Sequence, residues 1–290
     1  MTRRKQTFTV GWLYPDLMNI YGDRGNILTL LKRAEWRGYD ARLVELGRGT
    51  TQHMEDVDVF FFGGGQDREQ ALVYEDLLEH KQPPLERAVH AGAAVLAVCG
   101  GYQLLGHYYQ TAEGERLPGI GLIDVRTEAG KKRFIGDVVV DTQLEEITPS
   151  TLVGFENHSG RTFLGPKAAA LGRVRLGFGN NGSDGTEGYL QGGVLGTYLH
   201  GSLLPKNPHL ADYLMRSALR RRGVDELSPL DDSVELAAHA QILERAPRAP
   251  HAVHERYGSP ALPPRPSRDP LGSRPRSSAD APPPDQPKQP

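Results

Sequence analysis

The feature that most constrains this chain is an apolar run, Ala94–Val98, that leads directly into Cys99 and the glycine pair Gly100 and Gly101. Such a run predicts a buried strand, and the glycines permit a sharp turn into a helix. A strand-to-helix elbow exposes its central side chain at the carboxyl end of the sheet, where helix amides stabilise a thiolate. We therefore predict that Cys99, the only cysteine of the chain, is a nucleophile rather than a buried apolar side chain.

Strand-like and helix-like segments alternate on both sides of this run. Strands are predicted at residues 8–13, 41–46, 57–62 and 94–98, and helices at 25–34, after Asp67 and at 85–92. This alternation predicts an α/β fold whose mostly parallel sheet carries helices on both faces. The later part is richer in strands, at residues 121–125, 134–141, 152–156, 173–176 and 194–199, with a helix at 209–221. We expect one α/β domain over residues 6–223.

The composition changes at the C-terminal end. Of the 22 prolines, 13 lie between Pro247 and Pro290, among Arg, Ser and Asp with few aliphatic residues. This composition is typical of a disordered proline-rich tail with no hydrophobic face to bury. Residues 224–246 are expected either to add a final helix, at 233–243, or to belong to the tail.

Charge and hydropathy indicate a cytoplasmic protein. The net charge of -2 offers no basis for binding nucleic acid, and no run approaches the roughly 20 apolar residues of a membrane helix. The basic N-terminus is not followed by an apolar signal core, and a single cysteine excludes an intrachain disulfide. We expect no membrane insertion.

A second chemical element is the apolar strand at 57–62, which ends in three glycines, Gly63, Gly64 and Gly65. Parallel strands end at one edge of a sheet, so these glycines are predicted to lie near Cys99. Backbone N–H groups of Gly64, Gly65 and Gly100 are our candidates for an oxyanion hole. The chain contains no G-x-x-x-x-G-K-[ST] nucleotide-binding loop.

The third element is His200, at the end of the strand predicted over 194–199. An imidazole there activates the thiol of Cys99 and protonates a leaving amine. His158, predicted in a loop after another strand, is the one competitor among ten histidines.

Along the chain, the glycine loop is followed by the Cys-Gly-Gly-Tyr-Gln motif and later by Tyr-Leu-His-Gly. This arrangement resembles the class I glutamine amidotransferases, specifically their CobB/CobQ-like branch. That branch has a flavodoxin-like fold. The resemblance spans residues 7–223 and is greatest to the GatD family, the glutaminase subunits of lipid II isoglutaminyl synthases. The further segments that carry it are residues 14–26, 154–158, 179–182 and 187–188.

The resemblance implies hydrolysis of L-glutamine, with the ammonia passing to a separate MurT-like Mur ligase subunit in a 1:1 heterodimer. That partner would use ATP to amidate the α-carboxyl of D-glutamate in lipid II. It implies no metal and no cofactor in this chain, and it assigns Arg133 to the glutamine carboxylate, which a guanidinium binds bidentately.

One departure from many class I enzymes follows the histidine, where His200-Gly201-Ser202 lacks the usual glutamate. An imidazole needs an orienting carboxylate to hold its productive tautomer. Asp16, Asp23 and Glu156 are the internal candidates, and the partner subunit is the other candidate source.

The sequence leaves two classes of alternative open. One is a different reaction, either amidation of another acceptor such as a cobyrinic acid-type corrinoid or hydrolysis of a non-glutamine substrate by a cysteine hydrolase on the same scaffold. The other is a noncatalytic binding subunit.

Overall fold

The computed structural model describes residues 5–20, 23–144, 147–200 and 203–245. The proline-rich tail predicted at 247–290 lies outside these residues. The strands of the described residues are β1 Thr7–Leu13, β2 Asp40–Leu46, β3 Val59–Phe62, β4 Ala94–Val98, β5 Tyr108–Gln110, β6 Arg116–Pro118, β7 Val125–Thr142, β8 Thr151–Leu164, β9 Gly172–Leu176, β10 Thr186–Glu187, β11 Tyr189–Gln191 and β12 Val194–Thr197. The α-helices are α1 Arg24–Trp36, α2 Asp67–Asp76, α3 Gln82–His90, α4 Gly100–Leu105, α5 Leu203–Lys206, α6 Pro208–Leu219 and α7 Ser233–Arg245.

The first sheet has six strands in the order β11-β12-β4-β3-β1-β2. All of its pairings are parallel except that of β11 with β12. β3 and β4 are buried at every position, as expected for central strands covered on both faces. Helix α1 packs against β1 and β2, and α6 packs against β3 and β4. The α/β fold with a mostly parallel sheet is confirmed.

Most of the strand-rich part of the chain builds a second sheet, which the sequence did not separate from the first, while β11 and β12 join the first sheet. Its order is β10-β9-β7-β5-β6, with β8 paired to β7, and β5 with β7 is its only parallel pair among the described residues. From Gly154 to Phe163, buried and partly buried positions alternate along β8, which suits an antiparallel sheet with one face less covered than the other. A strand predicted at 121–125 is wrong except at Val125, where β7 begins.

The final helix, α7, packs against the second sheet. Ile242 and Leu243 contact a small apolar cluster on β7, β8 and β9, and Nε2 of His239 lies 2.9 Å from Oγ1 of Thr151. Arg33 on α1 also forms ion pairs with Asp212 on α6, at 2.7 Å, and with Asp232 just before α7.

Within the described ranges, no helix is long and apolar enough to cross a membrane.

The first sheet brings three loops to one edge. Phe62 of β3 pairs with Ala97 of β4, and Val98 of β4 pairs with Thr197 of β12. These strands are parallel neighbours that end at the same level. The glycine loop after β3, the cysteine after β4 and the histidine after β12 therefore converge.

Candidate active site

Cys99 occupies the predicted elbow between β4 and α4. Its backbone has φ 51° and ψ -106°, a conformation that side-chain-bearing residues rarely adopt. Its N–H donates to the carbonyl of Thr197 at 2.9 Å, and the N–H of Gly101 donates to the carbonyl of Gly63 at 3.1 Å. A Cβ on Gly101 would lie 2.5 Å from the carbonyl oxygen of Phe62, so glycine is required for this close approach. The elbow is thus built from the ends of three neighbouring strands.

His200 and Asp23 form a buried pair beside Cys99. Both side chains are fully buried, and Nδ1 of His200 lies 3.7 Å from Oδ1 of Asp23. The imidazole of His200 also interacts electrostatically with Cys99. The main chain holds the histidine from β8, since its N–H donates to the carbonyl of Phe155 at 2.7 Å. The three side chains have the order of a nucleophile, a general acid–base and an orienting carboxylate.

The surroundings of His200 favour its charged form. Burial alone favours the neutral imidazole, but the thiolate of Cys99 and the carboxylate of Asp23 together raise the pKa of His200 to about 10. An imidazolium beside a thiolate is the ion pair that activates a catalytic cysteine.

The glycine loop lies directly against this pair. A Cβ on Gly64 would lie 2.9 Å from Cε1 of His200, and a Cβ on Gly100 would lie 2.9 Å from the backbone nitrogen of Gly65. The N–H of Gly64 donates to Oδ2 of Asp23 at 2.7 Å, so this N–H group is not available to bind an oxyanion. The prediction of Gly64 as an oxyanion donor is corrected on this ground, and Gly65 and Gly100 stay as the candidates.

A cavity of about 130 Å³ opens beside Cys99. The glycine loop and helices α2 and α4 contribute Gly65, Gln70 and Gln103, and the second sheet contributes Arg133 and His158. Its full lining is Gly65, Gln66, Gln70, Cys99, Gln103, Tyr109, Arg133, His158, Ser159 and Gly160. The nucleophile and the predicted carboxylate-binding arginine therefore line the same cavity.

Arg133 is placed by an irregularity in β7. The register of β7 with β8 shifts between Ala129 and Phe134, and such bulges re-aim side chains near active sites. Nη1 of Arg133 donates to Oδ1 of Asn157 at 2.8 Å and to the carbonyl of the same residue at 3.2 Å. This contact across the two strands holds the guanidinium at the rim of the cavity.

His158 lies within β8 rather than in the predicted loop. It is buried, and burial lowers the pKa of His158 well below its usual value. Its ring stacks on Tyr198 with 3.6 Å between centroids, and Nδ1 lies 2.9 Å from the carbonyl of Gly160. This histidine is a neutral part of the cavity wall, whereas His200 is the histidine that interacts with Cys99.

The other two candidate acids have different positions. Asp16 is exposed in the loop after β1, and no described contact joins it to His200. Glu156 is fully buried and accepts N–H groups from Phe178 at 2.7 Å and Gly179 at 3.1 Å. Burial raises the pKa of Glu156 to about 8 despite these hydrogen bonds, and its Oε2 lies 3.3 Å from Nε2 of His158. Of the three acids, Asp23 is the one placed against His200.

A hydrogen-bonded chain of polar side chains that begins in the cavity lining is not indicated by any sequence motif. Gln70 donates to Gln103 at 2.9 Å, and Gln103 donates to the hydroxyl of Tyr198 at 3.0 Å. Thr162 lies 2.7 Å from that hydroxyl. Gln103 stands in the cysteine motif, but nothing in the sequence indicates which distant residues it meets.

A third buried acid, Glu187, supports the same edge of the sheet. Its Oε1 accepts the hydroxyl of Thr197 at 2.6 Å and the N–H of Tyr198 at 2.7 Å. Burial raises the pKa of Glu187 to about 7. Across the described part of the chain, no group of three or more His, Cys, Asp or Glu side chains has the arrangement of a metal site.

Comparison with known proteins identifies the family of this chain. Residues 9–208 match the CobB/CobQ-like glutamine amidotransferase domain, and the chain belongs to that family. It is 41% identical over 241 residues to the lipid II isoglutaminyl synthase (glutamine-hydrolyzing) subunit GatD of Staphylococcus aureus (strain N315), covering 83% of this chain and 96% of that protein. The same subunit of Streptococcus pneumoniae (strain ATCC BAA-255 / R6) is 38% identical over 238 residues, covering 81% and 87%.

A more distant relative differs in length. The probable cobyric acid synthase of Methanothermobacter thermautotrophicus is 30% identical over 203 residues, which cover 66% of this chain but 38% of that protein. The chain thus resembles the GatD subunits over nearly their whole length and the cobyric acid synthase over part of it. The resemblance inferred from the sequence motifs is confirmed.

Proposed function

We propose that this chain is the glutaminase subunit of a lipid II isoglutaminyl synthase. The observation that carries the proposal is the position of buried His200 against Asp23 and its electrostatic interaction with Cys99, which lines a cavity together with Arg133. The sequence similarity to two GatD subunits over most of the chain supports the assignment of this site to glutamine.

The reaction proceeds in two steps. The thiolate of Cys99 attacks the side-chain amide carbon of L-glutamine, and the carbonyl electrons move to oxygen. His200 gives a proton to the nitrogen as the carbon–nitrogen bond breaks, which releases ammonia and leaves a thioester on Cys99. Water, deprotonated by His200, then attacks the thioester to yield glutamate and free the thiolate.

The backbone supplies the oxyanion stabilisation. The N–H groups of Gly65 and Gly100 are the donors proposed for the tetrahedral intermediate, because Gly64 is engaged by Asp23. Removing one such donor from other enzymes costs about 3 kcal/mol of transition-state stabilisation. Asp23 orients the imidazole and stabilises its charged form, and Arg133 holds the α-carboxylate of glutamine.

The acceptor of the ammonia belongs to a second protein. Both GatD relatives are named as subunits of a synthase, and we propose a 1:1 heterodimer of this chain with a MurT-like Mur ligase in the cytoplasm. That ligase would use ATP to activate the α-carboxyl of D-glutamate in lipid II, which the ammonia then amidates. This chain itself would need no cofactor.

The deciding experiment measures ammonia released from L-glutamine by the wild-type chain, by Cys99→Ala and by an exposed control, Gln52→Met. We expect the cysteine variant to lose activity and the control to keep it. Adding the MurT-like partner, ATP and lipid II should convert the ammonia into amidated lipid II. Hydrolysis of a non-glutamine substrate by this chain in place of L-glutamine would contradict the proposal. Transfer of the ammonia to a corrinoid acid instead of lipid II would also contradict it.

A further inference from the structure

Gln70, on helix α2, is a buried amide in the wall of the active-site cavity. Its side chain is 2% exposed and lines the same volume as Cys99 and Arg133. Nε2 donates to the carbonyl of Gly65 at 3.3 Å and to Oε1 of Gln103 at 2.9 Å. Because a backbone carbonyl only accepts hydrogen bonds, the contact with Gly65 determines which end of the amide is the nitrogen.

The other end of this amide has no partner. Oε1 of Gln70 is buried, and no atom of the described residues donates a hydrogen bond to it. Buried acceptors without a donor are rare in native proteins because the lost hydration is not replaced. An unsatisfied acceptor in the wall of a substrate cavity indicates that the substrate supplies the donor.

The geometry of the reaction indicates which donor that is. The departing nitrogen of glutamine must face His200, which is not among the residues that line the cavity. The cavity itself holds Arg133, the residue proposed for the α-carboxylate. The α-ammonium is bonded to the same carbon as this carboxylate and therefore lies in the cavity, where it requires an acceptor.

We propose that Oε1 of Gln70 accepts a hydrogen bond from the α-ammonium group of the substrate, so that Gln70 selects an amide that carries a free α-amino group. This inference rests on the function proposed above and adds a specificity residue to it. Through Nε2, the same side chain also holds the carbonyl of Gly65 beside the oxyanion loop. Substrate recognition and loop position are thereby joined in one residue.

Glu69, the preceding residue, also has a buried unpartnered oxygen, Oε2. Glu69 does not line the cavity, however, so it is not assigned to the substrate. It provides a matched comparison because it carries the stronger acceptor on the same turn of α2.

The test compares two ligands that differ only in the α-amino group. L-glutamine and 4-carbamoylbutanoate are titrated by calorimetry into the full chain carrying Cys99→Ala, which binds without turnover. In this parent we expect L-glutamine to bind more tightly. Adding Gln70→Met should lower the affinity for L-glutamine by roughly 10- to 100-fold, the usual value of a hydrogen bond to a charged group. Binding of the analogue should change much less.

Further variants and outcomes separate the explanations. Gln70→Glu keeps an acceptor oxygen and should retain the preference for L-glutamine, which covers the case in which the methionine variant does not fold. Glu69→Gln and the exposed Gln52→Met should leave the preference unchanged. Equal losses for both ligands in Gln70→Met would overturn the inference, because a purely structural role affects them alike. A parent that binds neither ligand would instead overturn the proposed function, and the inference with it.

Discussion

Oδ1 of Asp23 lies 3.7 Å from Nδ1 of His200, and Oδ2 of the same carboxylate accepts the N–H of Gly64 at 2.7 Å. One buried acid therefore holds both the imidazole and the glycine loop. Asp23 is also the residue that immediately precedes helix α1, so its position depends on where that helix begins. The catalytic arrangement is thus connected to β1, β3 and β12 through a single side chain.

Replacing Asp23 with Asn should reduce kcat for glutamine hydrolysis without unfolding the protein. The amide keeps an acceptor for Gly64 but removes the negative charge that helps to raise the pKa of His200. In a serine protease triad the corresponding change costs about 10⁴-fold in kcat, and we expect a loss on the order of 10²- to 10⁴-fold here. Ammonia release measured from pH 6 to 10 should also show the alkaline limb moving to lower pH.

Asp16→Asn is the matched control, since Asp16 lies exposed on the same connection between β1 and α1. Its kcat should equal that of the wild type. Equal activity of the Asp23 and Asp16 variants would show that Asp23 does not orient the histidine.

The isolated chain should hydrolyse glutamine without its partner. Because Asp23 already stands beside His200, no carboxylate from a second protein is needed to orient the ring. Stimulation on adding the MurT-like subunit should therefore be far smaller than the roughly 10⁴-fold associated with an orienting acid. Initial rates of the chain alone and of the complex give the comparison, and a stimulation that large would assign the orienting acid to the partner.

Arg133→Lys should raise KM for glutamine by about 10-fold or more while changing kcat less. Lysine keeps the charge but not the planar fork that binds a carboxylate through two parallel hydrogen bonds. Arg126→Lys, an exposed position on the same strand, is the control and should leave KM unchanged. A fall in kcat at constant KM would place Arg133 outside substrate binding.

Glu156 should make the folded state less stable as the pH rises. Burial raises its folded pKa from 4.5 to about 8, so the folded state holds a proton that the unfolded chain has released. Its stabilising contribution is present in full below pH 4.5 and is lost as the pH rises toward about 8. The change is at most about 1.4 kcal/mol per pH unit for one proton. Glu156→Gln, which cannot ionise, should flatten the dependence of the unfolding free energy on pH in this window.

Denaturant unfolding at several pH values measures this effect. Glu187 titrates in an overlapping range, with its pKa raised to about 7 by burial, so Glu187→Gln is a necessary comparison. If the wild type and Glu156→Gln have parallel stability curves between pH 4.5 and 8, Glu156 is not protonated in the folded protein.

Local sequence patterns were sufficient for the central strands and for the loops that follow them. The apolar runs of β3 and β4 and the glycines after them predict buried strands that end in open turns, because these properties depend on neighbouring residues. The same reasoning failed for His158, which continues a strand rather than leaving it. The pairing of β8 with the long strand β7, which determines that position, is a contact between distant segments.

The sequence by itself determined the class of fold and the identities of Cys99 and His200 as candidates, since strand periodicity, glycine turns and residue chemistry are local properties. Only the tertiary structure decided which acid meets His200, that the Gly64 amide is already engaged, and that Gln70 contributes an unpartnered oxygen to the cavity. Each of these depends on the distance between side chains on different elements. Such distances are set by the packing of the two sheets and their helices, which no short stretch of sequence contains.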